Sequence, residues 1–146
     1  MVQSTVDKAK IARQFLSAIP HAKALGIQLE HLGEGEGRMS IPYDDRLVGD
    51  PDTGVIHGGA VSALIDTCAG IAVMSHPSGP AGTATLDLRI DYMRGATPGQ
   101  RVTAHATCYH ITRTVAFVRA TATDEDESAP VATAHGAFTI ERGFGR

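Results

Sequence analysis

His57, Gly58 and Gly59 stand side by side in this chain, and Asp66 follows eight residues after Gly58. Around them the chain is apolar. Ala60, Val61, Ala63, Leu64, Ile65, Cys68, Ala69, Ile71, Ala72, Val73 and Met74 leave Asp66 as the one charged residue of the run 57–74. Such a run reads as a helix opening at the glycine pair, and a helix apolar on nearly every face is expected to be buried all round. The first turn of a helix carries N–H groups without intrahelical partners at the positive end of the helix dipole. With no side chain at Gly58 or Gly59, a ligand oxygen can approach those groups closely. Such a place favours a carbonyl oxygen that is gaining negative charge, which is what acyl transfer requires. Asp66 has two readings. A lone carboxylate on an apolar helix is costly unless it is hydrogen-bonded, so it either braces the fold or acts as nucleophile or general base.

The spacing adds a constraint. Eight residues of helix separate Gly58 from Asp66 by about 12 Å along the axis. A carbonyl held at the N-terminus and a group acting on its carbon need to be roughly 3 Å apart. One helix cannot place both on one substrate. If both work, the carboxylate comes from a second copy of the helix, antiparallel across a dimer interface.

The elements that must position these residues follow from periodicity. Residues 4–19 read as a helix with Val6, Ile11, Phe15, Leu16 and Ile19 on one face, capped by Ser4 or Thr5 and stopped by Pro20. Residues 25–34 and 37–42 read as strands joined by a glycine-rich turn, and 44–54 as a loop dense in Asp, Pro and Gly. After the central helix come four strand patterns: 85–92, 102–109, 114–123 and 131–140. The acidic stretch 124–128 reads as a solvated turn. Short connections make the later strands antiparallel. The expected class is α+β: an antiparallel sheet wrapped around one long central helix, with a further helix at the N-terminus.

Composition sets the bounds. With 146 residues, 42% of them hydrophobic and 20% charged, the chain has the make-up of one globular domain spanning 1–146, which excludes disordered and fibrous classes. A net charge of −3 offers no bulk field to a phosphate backbone, so no nucleic-acid partner is expected. Cys68 and Cys108 form no Cys-x-x-Cys pair and read as buried thiols of a cytoplasmic protein. The polar start, interrupted by Asp7, Lys8, Lys10 and Arg13, does not read as a signal peptide, and the run 60–74 is too short for a bilayer, so no membrane partner is expected. The histidines His21, His31, His76, His105, His110 and His135 make no metal-ligand pattern. His105 and His110, five apart on a strand, should face opposite sides.

The stretch 57–66 resembles the His-Gly-Gly motif and catalytic carboxylate of hotdog-fold acyl-CoA thioesterases of the phenylacetate-degradation type. The resemblance continues through residues 85–96, like the strand and turn after the family's helix, and reaches the turn Thr112-Arg113-Thr114; it covers about 24–142. It implies a hotdog fold, hydrolysis of an acyl-CoA without cofactor or metal, a homodimer as minimal active unit and a homotetramer as the full assembly. Carried over, Gly58 donates its N–H to the thioester oxygen. Asp66 of the partner subunit attacks the carbonyl or activates water, Thr85 orients the water or the carboxylate, and His57 braces the helix start. Gly59 lies beside the substrate oxygen, and Tyr92, Arg94 and Arg113 bind coenzyme A. One departure stands out. Many members have an Asn six residues before the His, where this chain has Pro51 flanked by Asp50 and Asp52, so Asp52 is the candidate polar group there. Leu25, Val61, Leu64, Ile65 and Met74 line an acyl pocket or belong to the core. The competing reading is a non-catalytic acyl-CoA or acyl-carrier binding protein on the same fold, with Asp66 purely structural.

Overall fold

A computed structural model describes residues 2–143. The chain opens with helix α1 (Val2–Ala18), which runs back past Ser4 and Thr5, so neither stands at its start. The helix stops at Ala18, just before Pro20 as expected, but Pro20 does more than end it. It sits in the first turn of a second short helix, α2 (Pro20–Leu25), where its missing N–H costs nothing, and Gly26 closes that helix in the left-handed conformation. Leu25 therefore belongs to α2 and not to the first strand.

Strands β1 (Gln28–Gly33) and β2 (Glu36–Ile41) form a hairpin. The stretch expected to be a loop contains a single 3-10 turn (Asp45–Leu47) and a separate two-stranded sheet, β3 (Val48–Asp50) with β4 (Val55–Ile56). Helix α3 (Gly58–Met74) follows, then β5 (Thr85–Tyr92), β6 (Val102–Ile111), β7 (Val115–Thr123) and β8 (Ala132–Thr139). The main sheet is antiparallel in the order β1-β2-β6-β7-β8-β5, and β5 is one of its edges. An antiparallel sheet over one long helix, with a helix at the N-terminus, is the fold expected from the sequence.

Helix α3 lies across the inner face of β2, β6 and β7. Its buried residues are Ala60, Val61, Leu64, Ile65, Cys68, Ala69, Ala72 and Val73, paired positions recurring every four residues along one face. Small residues on the facing strands, such as Ala104, Ala106, Ala116 and Ala122, let the helix approach the sheet. Gly37 of β2 is required for that approach, because a Cβ there would come within 2.8 Å of Ile71 Cγ2. Cys68 is fully buried with its thiol directed at the carbonyls of Gly37 and Ala104, and burial pushes it up to about 12, so it is unreactive near neutral pH.

Three expectations need correction. The helix is not buried all round within one chain: Ser62, Ala63, Asp66, Thr67, Gly70, Ile71 and Met74 form a half-buried second face. His105 and His110 do not face opposite sides of β6. A bulge between Cys108 and His110 shifts the register, so His105 pairs with Thr121 and His110 with Phe117, positions four apart on one face. The acidic stretch 124–128 is not simply a solvated turn, because the Asp124 side chain is fully buried against Arg94.

Candidate active site

The small sheet seats the start of α3. Leu47 accepts the His57 N–H at 2.7 Å, and Gly49 lets β3 lie against His57, since a Cβ at position 49 would sit 2.8 Å from His57 Cα. The turn before β4 is tied by Asp50, whose carboxylate accepts from the Asp52 N–H at 3.0 Å and the Thr53 hydroxyl at 2.8 Å. The Thr53 bond holds Asp50 below the usual carboxylate range. Pro51 and Asp52 lie in this turn, and the Asp52 side chain is exposed without a partner among the described residues.

His57 is the N-cap of α3. Its backbone is extended, and its ring Nδ1 accepts the Gly59 N–H at 2.8 Å. The other side of the same peptide is held by Tyr92, whose hydroxyl donates to the Gly58 carbonyl at 2.8 Å. Ser62, one turn along the helix, bonds the Tyr92 oxygen. Since the single phenolic proton goes to Gly58, Ser62 is the donor in that pair. With Gly59 N–H capped and Ala60 N–H bonded to the His57 carbonyl, the Gly58 N–H is the first-turn donor left without a partner among the described residues.

Folding does not demand glycine at position 58. Its φ is not positive, and a Cβ there would meet the Tyr92 ring at 3.5 Å or more, an ordinary contact. Gly59 differs, because a Cβ there would come within 2.8 Å of His57 Nδ1 and displace the cap. The bare backbone at Gly58 has its use in the solvent in front of it, where a cavity of about 300 Å³ opens, walled by Gly58, Ile56, Tyr92, Met93 and Ala96.

Asp66 stands half-buried at the middle of the second face of α3. Thr85, the first residue of β5, donates its hydroxyl to Asp66 Oδ1 at 2.6 Å, a short charge-assisted bond that fixes the carboxylate plane. Oδ2 is left without a partner among the described residues. Because α3 is unbroken from Gly58 to Met74, the free N–H and the free carboxylate oxygen are about 12 Å apart along one axis.

The structure therefore gathers the sequence candidates into two clusters: His57, Gly58, Gly59 and Tyr92 at the helix start, and Asp66 with Thr85 at its middle. Arg94 borders the cavity beside Gly58, and Arg113 and Asp52 fall elsewhere. Arg94 is not a free cation for phosphate: its guanidinium makes two bonds to Asp124, at 2.6 and 2.8 Å, and others to the Ala129 and Gly95 carbonyls. Arg113 has an exposed side chain in the β6–β7 turn, near the far end of α3. Arg142 ties that turn to the loop after α3 through the Arg113 and Ser78 carbonyls. Within one chain Arg113 is thus a full helix length, about 24 Å, from Gly58. Asp52 is confined to the turn before β4. Sequence reasoning missed Ser62, Gly49 and Asp124. The visible signal for Ser62 was its place one turn after Gly58.

A family model described as the thioesterase superfamily matches residues 53–131, just over half of the chain and containing both clusters. The chain belongs to the thioesterase superfamily. A protein of Halobacterium salinarum that carries a provisional esterase name is 33% identical over 93% of this chain and 94% of its own. The medium/long-chain acyl-CoA thioesterase YigI of Salmonella typhimurium is 25% identical over 80% of this chain and 83% of its own. A solved variant of the phenylacetic acid degradation protein PaaI from Thermus thermophilus superposes with a TM-score of 0.72 at 30% identity, covering 83% of this chain and 97% of that one. This thioesterase-superfamily chain is a thioester hydrolase of the hotdog fold. No helix among its described residues is long and apolar enough to cross a membrane.

Proposed function

We propose that the chain hydrolyses acyl-CoA thioesters as one domain spanning 1–146, in a site shared by two copies. The observation that carries this reading is the placement of the free Gly58 N–H and the free Asp66 oxygen on one unbroken helix, about 12 Å apart. Two antiparallel α3 helices, offset so that Gly58 of each lies beside Asp66 of the other, bring the groups to one carbonyl. The edge strand β5 supports such pairing, since Leu86, Tyr92 and Met93 on and after it are exposed.

The thioester oxygen then takes the Gly58 N–H at the positive end of α3, and Asp66 of the other copy faces the carbonyl carbon. Acting as base, Asp66 accepts a proton from water as the water oxygen bonds to that carbon. The tetrahedral oxyanion is held by Gly58, the C–S bond breaks, and the CoA sulfur leaves and takes up the proton. Acting as nucleophile, Asp66 bonds the carbon itself, the C–S bond breaks and CoA leaves as its thiolate; water then attacks the resulting anhydride, releasing the acid and restoring the Asp66 carboxylate, and the proton freed from water goes to the thiolate. Thr85 orients the carboxylate on either route.

The pantetheine end of CoA enters the cavity of about 300 Å³ beside Gly58 and Tyr92. Arg113 does not line that cavity. The acyl-CoA class rests on the site geometry and on the likeness to YigI. The two unpaired cysteines support a cytoplasmic setting, and two dimers joined as a homotetramer form the larger assembly. The deciding experiment is thiol release over an acyl-CoA panel with wild type and Asp66→Asn. The variant should fold and lose about 10²–10⁴ in turnover. Wild-type rates in the variant, or tight acyl-CoA binding by wild type without thiol release, would sink the proposal.

A further inference from the structure

Helix α1 carries an unusual surface. Ala12 and Leu16 turn inward, yet Ile11 and Phe15 are 63% and 58% exposed. These two do not simply face solvent. With Leu32 of β1 and Ile71 and Met74 of α3 they line a cavity of about 220 Å³, whose only polar lining residues are Lys8 and Ser75. The cavity lies on the same face of α3 as Asp66, because positions 66, 70 and 74 succeed one another at one-turn intervals. Gly70 stands between them, and a Cβ there would meet nothing within 4 Å, so the path from Asp66 to the cavity is open.

We infer that this cavity receives the far end of an aliphatic acyl chain, and that α1 is the element that reads its length. The inference rests on the two-copy acyl-CoA reading above. In that arrangement the partner's α3 begins beside Asp66, so the half of α3 from Asp66 to Met74 extends beyond the partner's helix and stays available. The thioester carbonyl sits at Asp66. The CoA side of the substrate points toward the partner's cavity, and the acyl side is left with the groove over Gly70. Met74 is about 12 Å along the axis from Asp66. A short acyl group ends over Gly70, whereas an extended chain reaches Ile71, Met74 and Phe15. Leu64 and Ile65 do not line this cavity, being fully packed in the core, and Val61 borders the cavity beside Gly58 instead.

The test compares kcat/KM for decanoyl-, butanoyl- and phenylacetyl-CoA in wild type, Phe15→Ser and Gly70→Leu. Phe15 is exposed enough for serine to be tolerated, and leucine at position 70 enters open space with better helix propensity than glycine. Wild type should prefer decanoyl-CoA, and each variant should lower the decanoyl-to-butanoyl ratio about tenfold, the size expected for losing apolar contacts in a specificity pocket. Wild-type ratios in both variants would overturn the pocket. A wild-type preference for phenylacetyl-CoA over decanoyl-CoA would overturn it too, as would a fall in assembly mass for Phe15→Ser with the ratio retained, because the face would then hold a second copy. Inactivity of wild type on the whole panel would overturn the acyl-CoA reading and this pocket together.

Discussion

Thr85 Oγ1 lies 2.6 Å from Asp66 Oδ1, and the bond joins the edge strand to the centre of the helix within a single chain. It leaves Thr85 one job that its methyl group cannot do, which is to hold the carboxylate by Oδ1 while Oδ2 stays without a partner among the described residues. Thr85→Val keeps the shape and removes the donor. Turnover should fall about tenfold or more, because a misplaced reacting group loses rate steeply with distance. KM should change little, and Thr85→Ser should restore most of the rate. Steady-state kinetics on one acyl-CoA settles it. Equal rates in valine and serine variants would assign Thr85 to the fold alone.

The proposed two-copy site makes a prediction that no single-chain site shares. Gly58→Pro removes only the N–H: proline is favoured in the first helical position, His57 already has the extended backbone a following proline requires, and a Cβ at position 58 meets the Tyr92 ring at ordinary distance. Alone, this variant should lose about 10²–10³ in kcat, the usual effect of removing one oxyanion donor. Mixed and reassembled with Asp66→Ala, itself inactive, it should regain activity, since each mixed dimer pairs an intact Gly58 with an intact Asp66. Random assortment at one working site per mixed dimer gives roughly a quarter of the wild-type rate, with the intact pair acting as in wild type. No recovery on mixing would place both groups in one chain.

The fold was legible where periodicity is strong. The apolar run 57–74 and the alternating strand 102–108 gave the helix and the sheet that covers it. It was less legible where one residue changes the backbone. The bulge in β6 moves His110 across the sheet, and Pro20 opens α2 by the same property that suggested an end. Asp66, Gly58 and His57 could be read because a lone carboxylate and a bare glycine pair are conspicuous on an apolar helix. Arg94 could not, because its partner Asp124 lies thirty residues away in a stretch whose neighbours are exposed. Charge alone does not reveal which arginine is already occupied.

The cap at the helix start can be separated from the donor it exposes. Tyr92→Phe removes the hydroxyl that holds the Gly58 carbonyl while keeping the ring against Gly58. Gly59→Ala drives a Cβ into His57 Nδ1 and breaks the other half of the clamp. Both should lower kcat by loosening the peptide beside the free N–H. The alanine variant should also destabilise the fold by about 1 kcal/mol, the usual cost of a lost cap. Thermal denaturation alongside kinetics checks this: a phenylalanine variant as active as wild type would show that His57 alone positions Gly58.

Asp124 gives the pH prediction. Its fully buried carboxylate accepts two bonds from Arg94, plus the Thr97 N–H at 3.0 Å and hydroxyl at 2.9 Å, so the loop after β5 is anchored to the loop before β8. The Arg94 guanidinium, followed by the Thr97 and Asp126 N–H groups, holds Asp124 well below the usual carboxylate range. A depressed folded-state value means that the ionised carboxylate stabilises the fold. That contribution is complete above the unfolded value near 4 and is lost as pH falls toward the lower folded value. Asp124→Asn should therefore be less stable at neutral pH by about 2 kcal/mol, a figure reduced from the fully buried case because the Arg94 side chain is 30% exposed. The gap between wild type and variant should stay constant from pH 7 to about pH 5 and narrow below about pH 4, as wild type alone loses the Asp124 contribution. Denaturant melts across that range measure it. A gap that widened in acid would reverse the sign of the linkage and remove the Arg94–Asp124 pair as the anchor of the wall beside Gly58.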